Sequence, residues 1–367
     1  MTVDAPARPR LAVYWAAACG GCDIAILNLH ERILDVASAF EIVFWPAVMD
    51  VKYADVEAML DGWIDLCLFT GSIRSTENAA LARLLRRKAR FLVAFGSCAG
   101  EGCIPGLANL SSLDDLLEAA FEGPSTDNPD HLRPVETWPT PSGDLHLPSL
   151  LPRLHTLDQV VPVDWTVPGC PPESARIAEV VTLAAAAFRG DVPVPPAGAV
   201  LGAGHSTVCD ECLRERHPKS IDGFTRIQAL ETIDPRLCLL EQGIPCNGSA
   251  TRDGCGALCP AAGAPCIGCY GAPDGVRDAG ARLLAAFGSI IGEGDESDIE
   301  RRQATLLDPV GRAYRFGLAR SLLGGARLPH AADGGGAPGN GAGVPVPAGV
   351  PVPAGEPVSA GVGGAER

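Results

Sequence analysis

Short apolar runs and longer amphipathic stretches alternate through the first 190 residues. LAVYWA (11–16), EIVFWPAV (41–48), IDLCLFTG (64–71), RFLVAFG (90–96) and DQVVPVDWTV (158–167) are the short runs, and their length predicts buried strands. Residues 24–37, 77–89 (ENAALARLLRRKA) and 173–188 show the helical period. Strands that alternate with helices imply a parallel sheet covered on both faces. The expected fold class is therefore α/β, a flavodoxin-like doubly wound sheet.

The pattern then changes. Residues 122–150 are polar and proline-rich, which predicts a long loop inside that domain. PVPPAG (193–198) reads as a linker. Residues 199–290 are cysteine-rich with few periodic elements, although ARLLAAFGSII (281–291) predicts a helix. DPVGRAYRFGLARSLLGG closes the ordered part. From residue 329 the composition falls to Gly, Ala, Pro and Val, with VPVPAG occurring twice, which predicts a disordered tail. The expected organisation is a sheet domain over 10–192, a loop-rich domain over 199–325 and a tail over 329–367.

Composition narrows the function. The chain has 367 residues, 47% of them hydrophobic, enough for one or two domains. A net charge of −15 supplies no basic stripe for phosphates and argues against nucleic acid. The N-terminus shows no apolar signal region or twin-arginine pair, and no stretch approaches the length of a membrane span. The expectation is a cytoplasmic protein without a membrane span. In that reducing compartment fourteen cysteines are better explained as metal ligands than as disulfides.

Twelve of the cysteines fall into groups of four. Cys19 and Cys22 follow the first strand run, Cys98 follows the fourth, and Cys170 follows the last. Open α/β sheets gather ligands beyond the carboxyl ends of their strands, so these four thiols should converge at one edge. The glycines beside them let the backbone approach a bulky group and donate N–H bonds to it. Cys67, inside DLCLF, reads as a small core hydrophobe. Cys103 lies five residues after Cys98 and could approach the same cluster, although a spectator is expected.

The other eight are Cys209, Cys212, Cys238, Cys246, Cys255, Cys259, Cys266 and Cys269. Eight thiolates suit two four-iron clusters or structural zinc sites. Zinc carries no electrons, and a third site in the sheet domain favours iron–sulfur.

Longer motifs make the pattern specific. ACGGCDIAILNL, GSCAGEGCIPGLANL, VPGCPPE, CLLEQGIPCNGSATRDGCGALCP and APCIGCYG together resemble the small, electron-transfer subunit of a cytoplasmic nickel–iron hydrogenase. The nearest branch by motif is the methyl-viologen-reducing type that works with heterodisulfide reductase. The resemblance spans about residues 10–320.

That resemblance implies three 4Fe-4S clusters. Cys19, Cys22, Cys98 and Cys170 would hold the proximal one. Cys209, Cys212, Cys238 and Cys246 would hold the distal one, with Cys209 where many members have histidine. Cys255, Cys259, Cys266 and Cys269 would hold the medial one, with Cys259 supplying a ligand that three-iron members lack. Oxygen-tolerant relatives carry two extra cysteines near the proximal cluster. Cys103 sits at one of those places and Gly21 at the other, so an ordinary proximal cubane is expected.

The implied role is a non-catalytic relay from a large subunit, which carries the nickel–iron site, to a low-potential acceptor such as a delta subunit or heterodisulfide reductase. The N-terminal pattern also resembles the cluster-bearing quinone-site subunit of respiratory complex I, but residues 209–269 weigh against it. A zinc-binding interaction protein is the other alternative.

Overall fold

The computed structural model describes residues 8–323. The tail expected over 329–367 lies outside the described residues. Ten strands occur among them: β1 (Arg10–Trp15), β2 (Glu41–Phe44), β3 (Ile64–Thr70), β4 (Ile73–Ser75), β5 (Ala89–Phe95), β6 (Thr137–Thr140), β7 (Gly143–His146), β8 (Leu150–His155), β9 (Trp165–Val167) and β10 (Ala199–Val200). Six form one sheet in the order β10-β9-β5-β3-β1-β2, and every pairing in it is parallel. With the excursions removed this is the doubly wound, flavodoxin-like order, as the alternation of elements implied.

Local sequence explains the main elements. All seven residues of β3 are buried, as expected of a central strand covered on both faces. Seven helices accompany the sheet: α1 (Gly21–Leu27), α2 (Ile33–Ala39), α3 (Tyr53–Ala58), α4 (Thr76–Lys88), α5 (Ser97–Glu101), α6 (Leu113–Phe121) and α7 (Ser174–Arg189). Ser75 caps α4 by accepting the Asn78 N–H at 3.2 Å, and Gly190 ends α7 in the left-handed conformation. One face of the sheet packs Val13, Phe95 and Trp165 against Ile177, Val181 and Ala184 of α7. The other packs Phe44, Phe69 and Leu92 against Leu81 and Leu85 of α4. Each buried Val, Leu, Ile or Phe among them contributes about 1.5–3 kcal/mol.

The structure differs from the expected elements in three places. The helix expected over 24–37 is split, because His30 takes a left-handed φ of 53° that a right-handed helix cannot continue. The expected loop over 122–150 contains the β6–β7 hairpin, and β8 pairs antiparallel with β4. The last strand run pairs only over Trp165–Val167, because Leu157–Gln159 form a 3-10 turn before Pro162.

The cysteine-rich half has its own apolar cluster around Val208, Ile221, Phe224, Leu239, Ile244, Leu283 and Phe287, and Cys246 and Cys266 belong to it. Its C-terminal end returns to the sheet. Gln159 Nε2 donates to the Ala319 carbonyl at 2.8 Å, and Arg320 Nη1 donates to the Gly100 carbonyl at 3.0 Å.

Candidate metal centres

The first group forms where the sheet order places it. Cys19 and Cys22 flank the start of α1 directly beyond β1, Cys98 lies in α5 beyond β5, and Cys170 lies just beyond β9. Burial pushes the Cys22 thiol up to about 12, and charge at Cys170, Asp23, Cys19 and Cys103 pushes the same way. Those causes show that Cys22, Cys170 and Cys19 share one neighbourhood. Gly96 has φ +85°, and a Cβ there would stand 2.4 Å from Cys22 Sγ. Only glycine leaves this room beside the sulfur.

Cys103 lies beside this group, the approach that its offset from Cys98 allowed. It is 1% exposed, and its Sγ lies 3.5 Å from Cys170 Sγ. The Cys170 hydrogen bond lowers its pKa, but a bond with Cys98, burial and the Cys98 charge outweigh that and raise it to about 12. The signal was its five-residue offset from Cys98, and Gly102 before it supplies the left-handed turn at φ 88° that aims it inward.

In the second half, burial pushes Cys209 up to about 11, and charge at Cys246, Cys238 and Cys212 adds to the shift. These are the four cysteines that the motifs assign to one group. A Cβ at Gly248 would lie 3.2 Å from Cys209 Sγ and 3.8 Å from Cys246 Sγ. Cys255, Cys259, Cys266 and Cys269 all line one cavity of about 480 Å³ between α1, Pro171–Pro172 and the loop around Leu258. Burial raises Cys269 to about 12, with Cys255 charge adding, while a hydrogen bond from the Cys170 backbone opposes it.

Neighbouring groups therefore touch. Cys269 of the third group packs against Cys98 of the first. The Cys266 N–H donates to Cys246 Sγ at 3.3 Å, which joins the third group to the second. Cys103 and Phe316 share the cluster with Cys98. Glu211, between Cys209 and Cys255 in sequence, accepts from the Gly254 and Gly256 N–H groups at 2.8 and 3.0 Å and ties the two loops.

Other ligand-type residues are engaged elsewhere. His205 pairs with Asp274 and His217 with Glu241. Cys67 is buried in β3. Among the described residues no three His, Cys, Asp or Glu side chains are grouped as a single metal ion requires.

The donor set suits iron–sulfur clusters. Each group supplies four thiols, the third lines one cavity, and the other two keep glycine-sized clearance beside a sulfur.

The comparisons with known proteins point to one family. Residues 19–184 match the family described as NADH ubiquinone oxidoreductase, 20 Kd subunit. The iron-sulfur subunit of the F420-non-reducing hydrogenase of Archaeoglobus profundus is 38% identical over 323 residues, which cover 86% of this chain and 97% of that one. A subunit of the F420-non-reducing hydrogenase of Methanothermobacter marburgensis is 35% identical over 318 residues, covering 86% and 96%. A chain in the solved structure of an NAD+-reducing NiFe hydrogenase in its H2-reduced state is 30% identical, covers 52% of this chain and 96% of that one, and has a TM-score of 0.43.

The chain belongs to the family of nickel–iron hydrogenase small subunits, alongside these two F420-non-reducing hydrogenase chains. It is thus an iron–sulfur, non-catalytic subunit of an oxidoreductase, and its family implies a large-subunit partner. Among the described residues no helix is long and apolar enough to cross a membrane.

Proposed function

We propose that this chain relays electrons between the large subunit of a nickel–iron hydrogenase and a low-potential acceptor. In this reading Cys19, Cys22, Cys98 and Cys170 hold a proximal 4Fe-4S cluster. Cys255, Cys259, Cys266 and Cys269 hold a medial one, and Cys209, Cys212, Cys238 and Cys246 a distal one. When bound, such clusters supply one-electron redox chemistry, with potentials set by ligand type, hydrogen bonds and exposure. The reading is supported by contact between neighbouring groups: Cys269 packs against the cluster of Cys98 and Cys103, and the Cys266 N–H donates to Cys246 Sγ at 3.3 Å.

The protein's own contribution is position and environment. Gly96 and Gly248 give clearance beside the sulfurs. The apolar cluster around Val208, Leu239 and Phe287 keeps water from Cys246 and Cys266. N–H donors to sulfur stabilise negative charge there. The sheet unit over 10–192 and the cysteine-rich unit over 199–325 are read as the two parts of the relay, acting in the cytoplasm. The acceptor is read as a delta subunit or a heterodisulfide reductase, because all-thiolate ligation favours low potentials.

The test is anaerobic reduction under dihydrogen, followed by EPR. The chain with its large subunit should develop reduced-cluster signals, and the iron-loaded chain alone should not. Signals of equal size in the isolated chain would contradict the relay.

A further inference from the structure

We propose that Asp23 is a positioning residue whose buried carboxylate fixes the CGGC turn and lowers the reduction potential of the cluster assigned to Cys19, Cys22, Cys98 and Cys170. The proposal rests on that ligand assignment.

Asp23 directly follows Cys22 and is 4% exposed. Its Oδ1 accepts from Trp45 Nε1–H at 2.9 Å, and its Oδ2 accepts from the Thr70 hydroxyl at 3.2 Å. Trp45 and Thr70 are buried themselves. Trp45 follows β2 and Thr70 ends β3, so one carboxylate ties α1 to the carboxyl ends of the two strands that flank β1. Both donors come from uncharged groups. Among the described residues no ion pair includes Asp23, whereas the other buried carboxylate of this sheet, Asp65, has Arg10 at 3.3 Å and Arg90 at 3.0 Å.

The contrast matters because a buried carboxylate without a cation is costly. An acidic residue in the first turn of a helix is ordinarily favourable at the surface, facing water. Asp23 occupies such a position but points inward. A buried Asn would accept from Trp45 through its amide oxygen without burying a charge. What the carboxylate adds is negative charge in a low-dielectric place one residue from a cluster ligand. Each one-electron reduction of that site adds a second negative charge nearby, and the repulsion makes reduction harder.

The experiment uses the complex of this chain with its large subunit. Iron and sulfide are measured first, and a wild-type complex without them would refute the ligand assignment rather than this proposal. The proximal signal is identified as the one lost in Cys98→Ala. Asp23→Asn keeps an oxygen for Trp45 and removes the charge. With full iron it should make the proximal site about tenfold easier to reduce, an upward midpoint shift of about 59 mV for one electron. Thr70→Val strips one donor and keeps the charge, so its midpoint should move downward. Asp23→Glu should stay near wild type. If Asp23→Asn loses the proximal signal, the midpoint of iron-replete Thr70→Val decides, and an unchanged value overturns the proposal. Iron-replete Asp23→Asn and Thr70→Val complexes with unchanged midpoints would overturn the proposal.

Discussion

The Cys266 N–H donates to Cys246 Sγ at 3.3 Å, although the two residues are assigned to different ligand groups. A backbone amide of the medial group therefore stabilises charge on a sulfur of the distal group, and it fixes the spacing between the two. The first group meets the third by packing instead, with Cys269 against Cys98 and Cys103.

Cys246→Ala should remove one distal ligand and leave the Cys266 N–H without its acceptor. The expected loss is about four irons per chain, with a stability cost of about 1–3 kcal/mol for the unsatisfied buried donor. Iron analysis and a thermal melt of the iron-loaded chain check both. Undiminished iron would remove Cys246 from the ligand set.

Gly96→Ala addresses the first group. Its φ of +85° and the 2.4 Å approach of a Cβ to Cys22 Sγ allow no side chain. Backbone strain alone costs about 1–3 kcal/mol, and the sulfur must move. The variant should lose the proximal EPR signal while keeping the signals of the other two groups. A full set of signals would mean that Cys22 is not held where the structure puts it.

Cys259 is the exposed member of the medial group. With Cys259→Ser the group keeps three thiols, and the medial cluster should fall to three irons, visible as a new signal in the oxidised protein. Four irons retained with an unchanged spectrum would show that Cys259 is not a ligand.

Cys67 supplies a pH prediction free of any ligand. Burial in β3 pushes its thiol up to about 12, against about 8.5 in the unfolded chain. The folded state thus holds a proton that the unfolded state releases between those values. Its contribution to stability is complete below about pH 8.5 and is lost as pH rises towards 12. The Cys67→Ala variant should show a shallower fall in stability across that range. In the folded wild type Cys67 should resist alkylation at pH 8, because the thiolate is the reactive form. Rapid alkylation in the native state would contradict its burial.

Much of the sheet was legible because its central strands are covered on both faces, so β1, β3 and β5 read as unbroken apolar runs. The elements that escaped are those in which tertiary contacts override local pattern. The β6–β7 hairpin carries Pro139 and an exposed Trp138, and reads as loop. The break at His30 depends on one left-handed residue that periodicity does not register. The placement of Cys19, Cys22, Cys98 and Cys170 beyond the ends of β1, β5 and β9 was legible from the order of the apolar runs. The offset from Cys98 showed that Cys103 could approach the group, but spacing does not show that its sulfur lies against Cys170. Nor did the sequence reveal that Asp23 points inward to Trp45 and Thr70.

Metal and sulfide content of the anaerobically purified chain with its co-purifying partner tests the central claim most directly. Three four-iron clusters require about twelve irons and about twelve sulfides per chain, with nickel present only when the partner is. Zinc bound without acid-labile sulfide would contradict the relay and leave a structural metal protein.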